Sequence, residues 1–209
     1  MSDKIYDTTS TRVDEIMMKL IGFHGTSTKY QKSIEKNGLD PAKTTYRSDH
    51  WLGQGVYFFT EFEKALWWAK DQVSKQKRAY SIVYKSNIIS DDENVLDLTT
   101  IEDVDLFFDS LIEIIDDSKD LNITIDSKEQ GRAIFFDVIK EKLNIYVIIA
   151  MFPKLWAGYT ANRSKKQLQI QKNLSDITHI TYLEKQVCVS KKTCIQNTVI
   201  EYNESEEVL

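Results

Sequence analysis

The chain predicts a mixed α/β or α+β domain, from three observations. Short runs rich in β-branched and aromatic residues, such as 56–60 and 146–152, read as strands. Segments 61–75, 101–117 and 128–143 repeat apolar residues every three or four positions and read as helices. With only seven glycines and two prolines, Pro41 and Pro153, no Pro/Gly-rich linker divides the 209 residues, so one domain spanning 1–209 is expected.

Segment 7–11 supplies several N-caps ahead of Val13, Ile16, Met17 and Leu20, whose spacing suits one face of a short helix. Residues 21–24 then begin the first core strand. Residues 29–37 read as a helix anchored by Ile34, with Gly38 as its C′ residue. Trp51-Leu52-Gly53-Gln54-Gly55 reads as a loop feeding strand 56–60.

Helix 61–75 places Phe62, Ala65, Leu66, Trp68, Ala69 and Val73 at helical intervals, with acids first and lysines last, as the macrodipole prefers. Trp67 and Trp68 read as helix packing, Trp68 towards the core. Residues 80–89 form a central strand ending in the acidic turn 91–93, and 95–98 is a short apolar segment with Thr99 or Thr100 as the next cap. Helices 101–117 and 128–143, separated by the polar run 116–120, read as a helical insertion between Thr99 and Asn144.

After strand 146–152 come a basic loop at 161–166 and strands at 167–171, 177–182, 186–190 and 198–202. The acidic tail 203–209 lacks apolar anchors early on and is expected to be mobile. No internal repeat is visible.

A net charge of −5 argues against a surface matched throughout to nucleic acid, while leaving room for a local basic patch. The N-terminus lacks a basic segment leading into an apolar run, and no window has the apolar length of a membrane span. A cytoplasmic protein without a membrane partner is expected. Cys188 and Cys194 read as reduced thiols without a role, and His24, His50 and His179 lack metal-ligand companions, so no metal is expected.

Two motifs carry chemistry: His24-Gly25-Thr26, and Gly53-Gln54-Gly55-Val56-Tyr57-Phe58 about thirty positions later. A Rossmann fingerprint is excluded, because Phe58 occupies the third glycine position and a strand follows instead of a helix. From His24 to about Ala69 the sequence resembles the diphtheria-toxin and poly(ADP-ribose) polymerase branch of the ADP-ribosyltransferases. The resemblance implies an α+β fold with a split, bent β core flanked by helices. It also implies that NAD is a co-substrate.

By that resemblance His24 hydrogen-bonds a ribose hydroxyl, Gly25 pairs its backbone with the nicotinamide carboxamide, and Tyr57 stacks on the nicotinamide ring. Thr26 and Gly55 belong to the same two motifs. Stacking suits the chemistry, since the nicotinamide of NAD is a cation that an aromatic face attracts. Tyr46, with Trp51 as second choice, is available as another aromatic wall, and Arg47 as a pyrophosphate contact.

The family's third motif is a glutamate at the start of a late strand. Aligning the apolar strand around Val187-Cys188-Val189 puts Gln186 at that place, with Glu184 two residues earlier on the same strand face. A carboxylate there would stabilise an oxocarbenium-like ribose as nicotinamide leaves, whereas glutamine brings no charge. The expected activity is transfer of one ADP-ribose unit to a macromolecular acceptor, protein or nucleic acid, in the manner of small bacterial toxins or phage-defence effectors. Three alternatives stay open: an NAD glycohydrolase, a silent NAD or ADP-ribose binding module, and an RNA 2′-phosphotransferase.

Overall fold

The structure, a computed structural model, describes residues 17–45, 50–74, 76, 79–117, 127–153, 164, 166–167, 169–170, 173, 177 and 183–207. It is a mixed α+β fold around a seven-stranded, mostly antiparallel sheet. The strands are β1 (Met17–Ser27), β2 (Val56–Phe59), β3 (Ser81–Asp91), β4 (Val95–Asp97), β5 (Val147–Pro153), β6 (Leu183–Val189) and β7 (Ile195–Asn203). Their order across the sheet is β4-β5-β6-β2-β1-β3-β7. The described helices are α1 (Gln31–Asn37), α2 (Phe62–Ser74), α3 (Ile101–Asp117), α4 (Lys128–Lys142) and α5 (Glu204–Glu207).

The two sides of the sheet meet at a thin seam. β1 pairs with β3 from Met17↔Asp91 to Ser27↔Ser81, but its described pairing with β2 is the single pair Phe23↔Phe59. Beyond Phe23, β1 keeps β3 on one side and leaves β2 on the other. That parting opens the space in which the candidate site lies.

β4 and β5 are the parallel pair, in register Val95↔Val147 to Asp97↔Ile149. Parallel neighbours need a long crossover, and α3 and α4 supply it. The expected insertion between Thr99 and Asn144 is therefore the connection between two adjacent strands. One core packs Phe136 and Ile139 of α4 on Leu96, Ile148, Ala150 and Cys188; another packs Ala65 and Ala69 of α2 on Phe59 and Val83.

Two expectations are corrected. Met17 and Leu20, read as part of a helix, belong to β1; Val13 and Ile16 lie outside the described residues. Exposure alternates along Met17-Met18-Lys19-Leu20-Ile21, with Met18 and Leu20 against the core, so the long ladder with β3 selects period 2 over the helical reading. Within 167–171 and 177–182, read as strands, the described residues 167, 169, 170 and 177 are helical. Gln167 and Gln169 are good helix formers, and Ile170 and Ile177 are exposed, with no apolar face buried by a strand at these positions.

The described part of the acidic tail, through Glu207, makes polar contacts. Asn203 is buried and donates to Glu206 at 2.9 Å, while Glu204 Oε2 accepts from the Ser81 backbone N–H at 2.8 Å. The Ser81 bond holds the Glu204 carboxyl below the usual carboxylate range.

Candidate functional site

Where β1 parts from β2, the His24 side chain spans the gap. Its Nδ1 lies 2.8 Å from the Tyr57 carbonyl oxygen. A carbonyl can only accept, so Nδ1 carries the proton and Nε2 of the neutral ring keeps its lone pair. Burial lowers the His24 pKa, opposed in part by this backbone bond, and the ring stays neutral at pH 7.

The depressed pKa has a measurable sign. Between the folded pKa and the unfolded value of about 6.5, the unfolded chain binds more protons, so stability rises with pH there. The contribution is complete above about pH 6.5 and is lost as pH falls towards the folded pKa. His24→Asn keeps a donor for the Tyr57 carbonyl but does not titrate. Urea unfolding from pH 8 to pH 5 should show native protein losing stability faster than this variant below about pH 6.5. Parallel curves across the whole range would refute the neutral His24 ring.

A cleft of about 460 Å³ runs along the parting, with His24, Gly25, Thr26, Gly55, Tyr57 and Gln186 among its walls. The volume is that of a small-molecule site. Tyr57 is half-buried, and its hydroxyl accepts from Leu52 N–H at 2.7 Å and donates to the Gly53 carbonyl at 2.7 Å. Burial, reinforced by Cys188, drives its pKa far up, so the phenol stays neutral. The ring is thus clamped to the glycine loop. His50 packs on it, ring centres 5.1 Å apart and tilted by 55°.

The motif glycines are explained by close approach. A Cβ on Gly25 would stand 1.9 Å from the Ala65 carbonyl oxygen, because α2 lies directly on β1 there. On Gly55 it would meet Cys188 Sγ at 2.6 Å and the Val189 carbonyl at 2.7 Å. No other residue fits without moving backbone.

β6 lies beside β2 in the register Phe59↔Gln186, which brings Gln186 to the cleft. Glu184 is fully buried behind it, on the same strand face. The Gln186 amide Nε2 donates to the Glu184 carboxylate Oε1. The sheet therefore joins His24, Gly25, Thr26, Gly55, Tyr57 and Gln186 around one cleft, while Glu184 reaches it through Gln186.

Tyr46 and Arg47 lie outside the described residues. Trp51, the second choice for an aromatic wall, lines the cleft; its ring meets Phe152 edge-on at 4.5 Å, and the Arg132 guanidinium stands over it at 5.2 Å. Among the lining residues not foreseen are His50, Gln72 and Gln76; Trp68, read as core packing, also reaches the cleft. Trp68 packs on the core formed by Ala65, Ala69, Phe59 and Val83 and, with Gln72 one turn on, also lines the cleft from α2. Gln76 Oε1 is buried without a hydrogen-bond partner among the described residues, an acceptor available to a ligand.

Among the described residues no group of three His, Cys, Asp or Glu side chains could hold a metal ion, and no helix is long and apolar enough to cross a membrane. The chain is similar to an uncharacterized protein, MJ0359, of Methanocaldococcus jannaschii, with 26% identity over 194 residues, covering 83% of each chain. No family model matches the sequence, and no solved structure matches it.

Proposed function

We propose that the cleft binds NAD and that the protein breaks the bond between nicotinamide and ribose, transferring ADP-ribose to a macromolecular nucleophile. Nicotinamide leaves as a neutral base carrying the bonding electron pair, and the acceptor, having lost a proton, forms the new bond to the ribose carbon. The observation that carries this reading is the His24–Tyr57 pairing. His24 Nδ1 is committed to the Tyr57 carbonyl, which leaves Nε2 to accept from a ribose hydroxyl in the same cleft as the Tyr57 ring.

The site residues fit such a substrate. A cationic nicotinamide suits the Tyr57 face, and the buried Gln76 Oε1 supplies an acceptor for an amide or amino group. Gln186 lies where an acid would stabilise positive charge developing on ribose, and its hydrogen bond to Glu184 fixes the orientation of its amide.

A second reading, an NAD or ADP-ribose binding module without turnover, is favoured by one feature: the side chain at the cleft is the neutral Gln186, with the carboxylate buried behind it. Calorimetric titration with NAD tests the part common to both. Tyr57→Ala should weaken binding by about 1–3 kcal/mol, or roughly 5- to 150-fold. Tyr57→Phe, which keeps the ring but loses the hydroxyl clamp, should lose less. Unchanged affinity in folded Tyr57→Ala would sink the assignment of the cleft.

A further inference from the structure

We infer that helix α4, from the crossover, is part of the site: its Asp137–Lys140 pair is a latch that positions the glycine loop and, through it, Tyr57. This inference rests on the cleft being the NAD site. Gln54 N–H donates to Asp137 Oδ1 at 2.7 Å, and Lys140 Nζ donates to the Gln54 carbonyl at 2.7 Å. Lys140 also donates to Asp137 Oδ1 at 3.1 Å. Two successive peptide groups of the loop are thereby held from one turn of α4.

The loop is shaped around this pair. Gly53 has φ +72°, and a Cβ there would stand 2.2 Å from Asp137 Oδ1 and 2.8 Å from Lys140 Nζ. The Gly53 carbonyl in turn accepts the Tyr57 hydroxyl, so the fixed loop sets the height of the stacking ring. Beneath lies Cys188, fully buried, with Sγ 3.6 Å from Lys140 Nζ.

The energetics favour a positioning role over a purely stabilising one. The Lys140 side chain is only 8% exposed, and a buried ion pair is often no more stable than apolar residues of similar volume. Apolar residues could not satisfy the Gln54 N–H and carbonyl, which bond to Asp137 and Lys140. Asp137 and Lys140 therefore act through the loop and touch no reacting atom.

The test uses the full chain as native protein, Lys140→Met, the double variant Asp137→Ala/Lys140→Met, and Lys140→Arg as the conservative rescue. The double variant removes both charges and leaves no lone buried ion. The first readout is N-ethylmaleimide alkylation of Cys188, located by peptide mass spectrometry, with buried Cys194 as internal reference for general opening. The second is KM against kcat for nicotinamide release from NAD.

Cys188 alkylation should accelerate roughly tenfold or more in the two disrupted variants while Cys194 does not change. KM should rise roughly tenfold with kcat altered much less, and Lys140→Arg should restore both. Unchanged Cys188 reactivity in a folded variant, or equal acceleration at both cysteines, overturns the latch. If native protein neither binds nor turns over NAD, the functional reading fails, and the alkylation result still decides whether α4 holds the loop.

Discussion

Gly25→Ala is expected to destabilise the protein by about 3 kcal/mol, at the upper end of ordinary overpacking, and to lower Tm by roughly 6–12 °C. The added methyl group would stand 1.9 Å from the Ala65 carbonyl oxygen, and the obstruction is backbone, which cannot rotate aside as a side chain can. Relief requires α2 to lift from β1, and with it the core formed by Ala65, Ala69, Phe59 and Val83. Trp68 and Gln72 on the same helix would leave the cleft wall. Thermal unfolding should therefore fall together with ligand affinity, and a variant as stable as native protein would show that α2 does not lie this close to β1.

The second large effect concerns residues 184 and 186. Exchanging them, Glu184→Gln with Gln186→Glu, preserves an amide–carboxylate hydrogen bond but delivers the acid to the cleft. Nicotinamide release from NAD should rise about 10²-fold, the scale of a well-placed electrostatic group. Gln186→Glu alone should gain less at neutral pH. It sets a second carboxylate against buried Glu184, and the repulsion of like charges opposes the gain. An exchange variant with unaltered turnover would dismiss residue 186. Loss of turnover in Glu184→Gln alone, with Gln186→Glu indifferent, would instead place the function on Glu184.

Much of the framework could be read from local pattern. α2, α3 and α4 have long helical periodicities, β5 is continuous apolar sequence and β3 carries apolar, β-branched runs at either end, so these elements appear close to where they were expected. Met17 to Leu20 misled because four residues, three of them apolar, fit either period, and only the ladder with β3 decides between them. The strand reading of 167–171 fails at its described residues, where Gln167 and Gln169 favour helix and Ile170 is exposed.

The site divides in the same way. His24, Gly25 and Tyr57 were singled out through the family resemblance, and the fold brings all three to one cleft. Glu184 and Gln186 share a strand face, as alternation requires, but which of them reaches the cleft depends on the register of β6 with β2. Asp137 and Lys140 were invisible: three residues apart on a helix, they look like any solvated ion pair. Their meaning depends on Gln54, more than eighty residues earlier in the chain. Trp68 packs on the α2 core as its helical position suggested, and the parting of β1 from β2 lets it line the cleft as well.

The central claim is that this cleft holds NAD for cleavage at the nicotinamide–ribose bond. Its most direct test is incubation of the protein and a cell lysate with NAD labelled separately in the nicotinamide and in the adenylate. The account predicts free labelled nicotinamide together with adenylate label on a macromolecule, both reduced by Tyr57→Ala. Intact NAD, with no binding to the protein, would contradict it.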